Sequence, residues 1–212
     1  MILGFLNQKG GVGKSTLATN AADYFHRQGT RPLLIDADPQ ATASDWAARR
    51  EDLPFPVMQL ARDNMAREIQ RHAAHYDHVV IDGPPRAEAL SRAVIIASDL
   101  VVMPIEASGA SDWASQTTIR QIREAREYKE TLLSVFLVSR IIPNTVISRS
   151  IRDHVVDYGI PLLKATVANR VSFAEALTMG KSIFEWDGRS TAAREFSTVM
   201  EEIGEFYERQ AT

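Results

Sequence analysis

Hydrophobic residues recur along the chain in short runs that are rich in β-branched side chains. The runs are "ILGFLN" (2–7), "PLLIDA" (32–37), "HVVID" (78–82), "DLVVMPI" (99–105) and "LSVFLVSR" (133–140). Each run has the length of a buried strand, and helix-compatible sequence separates it from the next. This alternation predicts βαβ units, and therefore an α/β fold with a mostly parallel twisted sheet and helices on both faces.

The segments between these runs show the spacing of amphipathic helices. Leu17, Ala21 and Phe25 lie on one side of a helix that begins near Lys14 and ends at Gly29, a residue suited to a left-handed cap. Helices are also predicted at 86–98, 112–128, 148–158 and 171–179, and a last one carries Ala192, Phe196, Val199, Ile203 and Phe206. The "LPFP" at 53–56 indicates a turn, too short to separate domains.

Length and composition narrow the class of protein. The 212 residues, 45% of them hydrophobic, suffice for one sizeable core, so we expect one domain over 1–212. With 27 acidic against 24 basic residues, the net charge does not favour a nucleic-acid or membrane-surface protein. The absence of cysteine excludes disulfides and thiolate metal ligands. The apolar runs are strand-sized and no basic leader precedes them, so we expect a cytoplasmic protein.

The stretch "NQKGGVGKST" (7–16) lies between the first predicted strand and the first predicted helix. A glycine-rich loop in that place surrounds one point with free backbone N–H groups and a helix N-terminus, which is how a backbone binds phosphate. The Lys14 side chain is then expected on the β- and γ-phosphates, and the Ser15 hydroxyl on Mg²⁺. The expected ATP-binding segment is Gly10, Gly11, Val12, Gly13, Lys14, Ser15 and Thr16. A chance glycine-rich turn is the alternative, disfavoured because the strand, the helix and GK[ST] are all in place.

The loop departs from the usual G-x-x-x-x-G-K-[ST] pattern, because Gln8 occupies the first glycine position. "KGGVGKST" resembles the deviant Walker A motif of the ParA/MinD family of P-loop ATPases, and among them the small, ParF-like partition ATPases. In that family the lysine at the position of Lys9 crosses to the partner subunit's nucleotide, so that two subunits enclose two ATP molecules. The resemblance implies that Lys9 couples ATP binding to homodimerisation and, with Lys14, supplies positive charge for catalysis. A solvated loop lysine is the alternative for Lys9.

Two further stretches resemble motifs of the same family. "LLIDADPQ" (33–40) implies that Asp36 supports the Mg²⁺ shell and that Asp38 orients the attacking water. "HVVIDGPP" (78–85) is similar to a Walker B strand, in which Asp82 holds a water on Mg²⁺. Each motif has a simpler explanation, since Asp-Ala-Asp-Pro forms a good turn and apolar runs often end in aspartate.

The resemblance also implies an adenine pocket at the end of the 133–140 strand and in the loop after the next short strand. The residues at these places are Arg140, Asn169, Arg170 and Val171. Structural salt bridges explain either arginine equally well.

The family resemblance implies a slow ATPase that positions a cargo or partitions DNA. The implied partners are nonspecific DNA, bound by the ATP dimer, and a ParB-like or other activator protein, so nucleoid association is expected. Residues 140–194 carry eight Lys or Arg against five acids, which suits phosphate binding but is equally typical of a solvated surface. Only Met1 precedes the first run, so we expect no N-terminal helix-turn-helix domain.

Two other functions are compatible with the same scaffold. An ATP-dependent ligase resembling dethiobiotin synthetase needs a cationic, polar substrate pocket beside the γ-phosphate, and no segment clearly supplies one. A MinD-like membrane ATPase needs a basic amphipathic C-terminal helix, whereas residues 195–212 contain five Glu and one Arg. Stable membrane binding is therefore not expected.

Overall fold

A sheet of seven parallel strands runs through the part of the chain that the computed structural model describes, namely residues 1–106, 111–142, 155 and 157–211. The strands are β1 (Ile2–Phe5), β2 (Pro32–Asp36), β3 (Val57–Gln59), β4 (His78–Asp82), β5 (Leu100–Ile105), β6 (Leu133–Ile141) and β7 (Leu162–Ala168). Their order across the sheet is β3-β2-β4-β1-β5-β6-β7. The predicted α/β class with a parallel sheet is confirmed.

Helices connect the strands and cover both faces of the sheet. In the described residues they are α1 (Lys14–Arg27), α2 (Thr42–Ala47), α3 (Met65–Ala73), α4 (Glu88–Ala97), α5 (Ser111–Arg126), α6 (Val171–Thr178), α7 (Ile183–Asp187) and α8 (Thr191–Ala211). Across these described segments, we find no helix with both the length and the apolar character needed to cross a bilayer. The predicted helix at 148–158 falls largely outside the described residues.

Among the described elements, β3, α2, α3 and α7 have no counterpart in the sequence prediction. Strand β3 follows the predicted turn at 53–56 and has three residues, none of them fully buried, so its hydrophobic pattern is too short to recognise. Helix α2 has six residues, less than two turns, and shows no full helical repeat. Strand β1 ends at Phe5 rather than at Asn7, because the chain turns there into the glycine-rich loop.

Alternating side chains of the strands divide the core between the two faces of the sheet. Leu3, Leu34 and Val80 face one side, where they meet buried residues of α1, α2, α6, α7 and α8. Ile2, Leu33 and neighbouring side chains face the other side, which α3, α4 and α5 cover. Because both faces are buried, the strands read as nearly continuous hydrophobic runs.

Both edges of the sheet are short or covered. Strand β3 forms one edge and is only three residues long. At the other edge, the Glu202 carboxylate of α8 accepts hydrogen bonds from the backbone N–H groups of Lys164 and Ala165 in β7, at 2.9 and 2.7 Å. A helix side chain therefore satisfies backbone donors next to an irregular stretch of the edge strand.

The register of the central strands brings the sequence motifs together. Asp82 pairs with Asp36 of β2 on one side and with Phe5 of β1 on the other. Because the strands are parallel, the loops that follow these three residues leave the sheet at the same edge. Gly83 fits closely here: its N–H donates to the Phe5 carbonyl at 2.9 Å.

We expect Gly83→Ala to destabilise the fold. A Cβ at this position would lie 2.5 Å from the Phe5 carbonyl oxygen and 2.7 Å from the Leu6 side chain. Overpacking of this kind costs about 1–3 kcal/mol, which lowers the melting temperature of a chain of this length by roughly 2–12 °C. Thermal unfolding followed by circular dichroism measures the change.

Gly204→Ala is the matched control, because the new methyl group meets no atom within 4 Å in the middle of α8. It should leave the melting temperature unchanged or raise it, since alanine favours helix over glycine by about 1 kcal/mol. Equal melting temperatures for the Gly83→Ala variant and the wild type would contradict the close packing at Gly83.

Candidate functional site

The loop between β1 and α1 leaves its glycines facing open space. Gly11 and Gly13 have φ angles of 79° and 93°, in the left-handed region that favours glycine. A Cβ built on Gly10, Gly11 or Gly13 would meet no atom within 4 Å. The first N–H groups of α1 have no acceptor within the helix. The loop and the helix terminus together form an uncrowded anion site.

Buried side chains fix the course of this loop. The Asn7 side chain donates to the Pro104 carbonyl at 2.8 Å and accepts from the Lys9 N–H at 2.9 Å. The Gln8 amide donates to the Ser91 hydroxyl of α4 at 3.1 Å, and the Ser139 hydroxyl donates to the Val12 carbonyl at 2.7 Å. Gln8 thus anchors the loop at the place where the usual motif has glycine. Sequence reasoning assigned no role to Asn7, Gln8 or Ser139, and these positions give no motif signal of their own.

Lys14, at the start of α1, lies among carboxylates. The residue is 6% exposed, and its Nζ donates to the Lys9 carbonyl at 3.2 Å. Burial lowers the pKa of Lys14, and the charges of Asp82 and Asp38 oppose that shift. The Lys14 ammonium is therefore held at the mouth of the loop, where an anionic ligand would complete its neutralisation.

Asp82 is a buried carboxylate whose oxygens lack well-formed hydrogen bonds. It is fully buried, and in the described part of the chain neither oxygen accepts a hydrogen bond of ordinary geometry, although the Ser15 hydroxyl lies close by. Burial raises the pKa of Asp82 to about 7, the nearby Ser15 hydroxyl and the Lys14 charge lower it, and the Asp36 charge raises it further. Buried polar atoms are normally satisfied, so this carboxylate fits a group that the chain itself does not supply. Oxygen atoms of Asp82 and Ser15 are the donors that Mg²⁺ prefers.

Asp36 and Asp38 organise the loop that follows β2. Asp36 is fully buried, and its two oxygens accept from the N–H groups of Asp38 and Ser44 at 3.1 and 2.7 Å. Burial raises the pKa of Asp36, and the N–H donors oppose the rise. Asp38 accepts from the Gln40 N–H at 2.9 Å, as a turn-forming aspartate does. Its charge also acts on Lys14 and Asp82, so the turn and the catalytic interpretation of Asp38 are compatible.

A cleft of about 240 Å³ opens beside the glycine-rich loop. Its lining includes three of the four residues expected at the adenine, Arg140, Asn169 and Arg170, together with Val12, Thr16 and Phe173. Val171 does not line the cleft and is 73% exposed. Arg170 also forms a two-pronged ion pair with Glu195, at 2.9 and 2.5 Å.

Lys9 is paired within its own chain in this structure. Its Nζ lies 2.7 Å from a carboxylate oxygen of Glu106, the residue after β5. The other oxygen of Glu106 lies 3.4 Å from Nε of Arg140, which also donates to the Gly11 carbonyl at 2.8 Å. Lys9 is therefore not an isolated solvated lysine, and Glu106 is a site residue that no motif indicated.

The basic residues of 140–194 do not form one uniform surface. Arg140 and Arg170 are engaged in ion pairs. Arg149 and Arg152 lie outside the described residues. The other four are exposed and are Lys164, Lys181, Arg189 and Arg194. Arg194 donates to the Arg189 carbonyl at 2.7 Å, so these two residues lie close together.

Known proteins are similar to this chain along nearly its whole length. Maintenance of carboxysome distribution protein A from Halothiobacillus neapolitanus is 29% identical over 206 residues, covering 95% of each chain. The chromosome-partitioning ATPase Soj from Thermus thermophilus is 27% identical over 233 residues, covering 93% of this chain and 92% of Soj. The septum site-determining protein MinD from Pyrococcus horikoshii, solved with Mg-ADP, superposes with a TM-score of 0.78 at 17% identity, covering 99% and 98% of the two chains.

That structural likeness, at such low identity, shows a common fold. The sequence profile of the "CobQ/CobB/MinD/ParA nucleotide binding domain" matches residues 3–183, which is most of the chain. The protein therefore belongs to the CobQ/CobB/MinD/ParA family of nucleotide-binding domains.

Proposed function

We propose that this chain, as a single P-loop domain over 1–212, is an ATPase that dimerises on binding ATP and uses hydrolysis to position a cellular cargo. The observation that carries the proposal is the buried Asp82 carboxylate, which lacks well-formed hydrogen bonds in the described residues and lies near Lys14 and Ser15 beside an open glycine-rich loop. Such a site has a place for an anion and a place for a cation side by side. Mg²⁺·ATP supplies both.

The residues of the site suit phosphoryl transfer, which depends on positioning and charge neutralisation more than on covalent chemistry. The backbone from Gly10 to Thr16 binds the phosphates, and Lys14 neutralises them. Ser15 and Asp82 would hold Mg²⁺, which would supply positive charge against the phosphates. Asp36 keeps the neighbouring loop in place through its two N–H donors. Asp38, within electrostatic reach of Lys14, orients the attacking water.

Recognition of the base is assigned to the cleft beside the loop. Arg140, Asn169 and Arg170 line it and bring polar groups to an otherwise largely apolar wall. Because Arg170 is already paired with Glu195, its contribution is to shape the cleft rather than to offer a free charge. Val171 is outside the lining of the cleft, so no part in binding the base is assigned to it.

Positioning of a cargo is supported by the names of two relatives, a carboxysome distribution protein and a chromosome-partitioning ATPase. In this proposal Lys9 reaches the partner subunit's ATP and makes the dimer depend on nucleotide. The dimer binds DNA without sequence preference through exposed basic residues near α7 and α8, and a ParB-like or other activator protein accelerates hydrolysis. The protein then works in the cytoplasm on the nucleoid. The membrane alternative is disfavoured by the acidic residues of α8.

A ligase on the same scaffold differs in what raises its turnover. ATP hydrolysis that increases with a small organic acid, and not with DNA or a protein, would favour the ligase. No contact in the described residues favours it over the positioning function.

Lys14→Ala and Lys9→Ala should separate nucleotide binding from dimerisation. Lys14→Ala removes the buried cation of the phosphate site and should abolish ATP binding. Lys9→Ala leaves that cation in place, so it should bind ATP with an affinity near the wild type and remain monomeric. Titration with a fluorescent ATP analogue and light scattering with ATP and Mg²⁺ measure the two properties. A wild-type amount of ATP dimer for Lys9→Ala would contradict the role of Lys9 in trans.

Asp82→Asn should stabilise the nucleotide-free protein and impair Mg²⁺ binding. A carboxyl group whose pKa is raised to about 7 by burial binds its proton more tightly in the folded state than in the unfolded state. This contribution to stability is therefore lost as pH rises from about 4 through about 7, and it does not change further at higher pH. Asparagine has no charge to bury, so the variant should gain about 1–3 kcal/mol at pH 8, and the gain should vanish near pH 4.

Thermal unfolding at pH 4, 6 and 8 measures this gain, and repeating it with ATP, with and without Mg²⁺, measures metal binding. The wild type should gain stability from adding Mg²⁺ to ATP, and the variant should gain little. A variant that is less stable than the wild type at pH 8 would show that Asp82 has a partner in the folded protein.

Nonspecific duplex DNA should bind only in the presence of ATP, and binding should weaken steeply with salt. The slope of log affinity against log salt increases with the number of phosphates that the protein neutralises. The double variant Arg189→Ala/Arg194→Ala should flatten that slope by about one for each arginine that binds a phosphate in the wild type. Arg67→Ala, which removes an exposed arginine from α3 on the opposite face, is the control. Absence of binding in every nucleotide state, with the ATP dimer confirmed in parallel, would contradict the DNA function.

A further inference from the structure

Glu106 joins two cations that belong to different parts of the nucleotide site. One of its oxygens lies 2.7 Å from the Lys9 Nζ, and the other lies 3.4 Å from the Arg140 Nε. Arg140 completes a ring by donating to the Gly11 carbonyl at 2.8 Å. The ring therefore runs from the loop to the end of β5, on to the end of β6, and back to the loop.

The sheet fixes Glu106 in this place. Strand β5 pairs with β1, so the end of β5 lies alongside the start of the glycine-rich loop. The Asn7 side chain fastens the loop to β5 through the Pro104 carbonyl, and it accepts from the N–H of Lys9 itself. The backbone of Lys9 is held in this way, and the contact with Glu106 directs its side chain towards the end of β5.

Lys9 can move away without leaving the Glu106 carboxylate uncompensated. When Lys9 departs, Glu106 keeps Arg140 as a partner, and the side chain of Glu106 is 23% exposed, so water reaches it. Removing one partner from a fully buried ion pair is costly because it leaves an uncompensated charge. A carboxylate that keeps a second cation avoids most of that cost, so the contact between Lys9 and Glu106 is suited to being broken and remade.

We propose that Glu106 is a positioning residue that holds Lys9 in cis in the monomer and competes with the partner subunit's nucleotide for it. The proposal rests on the function proposed above, in which Lys9 acts in trans. The free energy of dimerisation then includes the free energy of moving the Lys9 side chain from the Glu106 carboxylate to the partner subunit's phosphates. Glu106 thereby sets the protein concentration at which the ATP dimer forms.

Arg140 connects this exchange to occupancy of the cleft. The same side chain that shares Glu106 also lines the cleft assigned to the base. Its backbone φ of 53° lies in the left-handed region, which is rare for a residue with a side chain, so this geometry is held by its surroundings. A base that enters the cleft would therefore contact Arg140, which is also paired with Glu106.

Glu106→Gln tests the proposal, because it keeps the shape of the side chain and removes its charge. A partly exposed ion pair of this kind shifts an equilibrium by about threefold, and a symmetric dimer releases two of them. The dissociation constant of the ATP dimer should therefore fall by about tenfold. Sedimentation velocity with ATP and Mg²⁺ over a range of protein concentrations measures this constant. The matched control is Glu68→Gln on α3, which breaks a surface ion pair with Arg62.

Two further measurements separate this mechanism from a general charge effect. Glu106→Gln should not restore dimerisation to Lys9→Ala; if it does, the carboxylate merely repels the partner and the proposal is wrong. In the nucleotide-free monomer, the rate of acetylation at Lys9, followed by mass spectrometry, should rise by about threefold in Glu106→Gln. An unchanged rate would show that Glu106 does not hold Lys9.

The outcomes also separate this proposal from the function on which it rests. A wild-type protein that never forms an ATP dimer contradicts the proposed function, and the competition for Lys9 with it. A wild-type ATP dimer accompanied by an unchanged or weaker dimer for Glu106→Gln contradicts the role of Glu106 alone.

Discussion

The register between β1, β4 and β2 is the constraint on which the site depends. It places Phe5, Asp82 and Asp36 side by side, so that the glycine-rich loop and both carboxylate motifs leave the sheet together. Burial of the sheet on both faces fixes this register, because a shift by one residue would exchange the side chains that face α1 for those that face α4. The hydrophobic core and the arrangement of the site are thus specified by the same residues.

The stability of the fold and the needs of the site conflict at Asp82. A carboxylate buried without a partner in the described residues costs folding free energy, and its raised pKa expresses that cost. The surrounding structure fixes its position, because the neighbouring Gly83 is hydrogen-bonded to Phe5, and Ser15 and Lys14 lie near enough to lower the pKa of Asp82. A ligand that binds here recovers the cost on binding, which makes the site sensitive to whether nucleotide and metal are present.

The sequence predicted the parts of the molecule in which one local pattern carries the information. Five strands, α1 and the three motif segments belong to this group, because β-rich runs and the GK[ST] pattern can be recognised without knowing what they contact in the fold. Short elements such as β3 and α2 were missed, since they take their structure from the sheet edge and from Trp46 packing rather than from a repeat of their own. Glu106 and Glu195 were also missed, because each acquires a role only through a cation that is distant in sequence. For the same reason, the sequence alone did not decide whether Arg140 and Arg170 bind the ligand or form salt bridges.

The covered edges of the sheet have a consequence for how copies of this protein meet. A chain that associates and separates repeatedly brings its sheet edges close to those of another copy, and exposed edge strands then pair with each other irreversibly. Here one edge strand has three residues, and a glutamate of α8 occupies two backbone donors at the other. Strand addition is therefore blocked at two N–H groups of β7 and limited to a few hydrogen bonds at β3. In the proposed ATP-dependent dimer, association would then use the nucleotide-site surface rather than the sheet edges, which would keep it reversible.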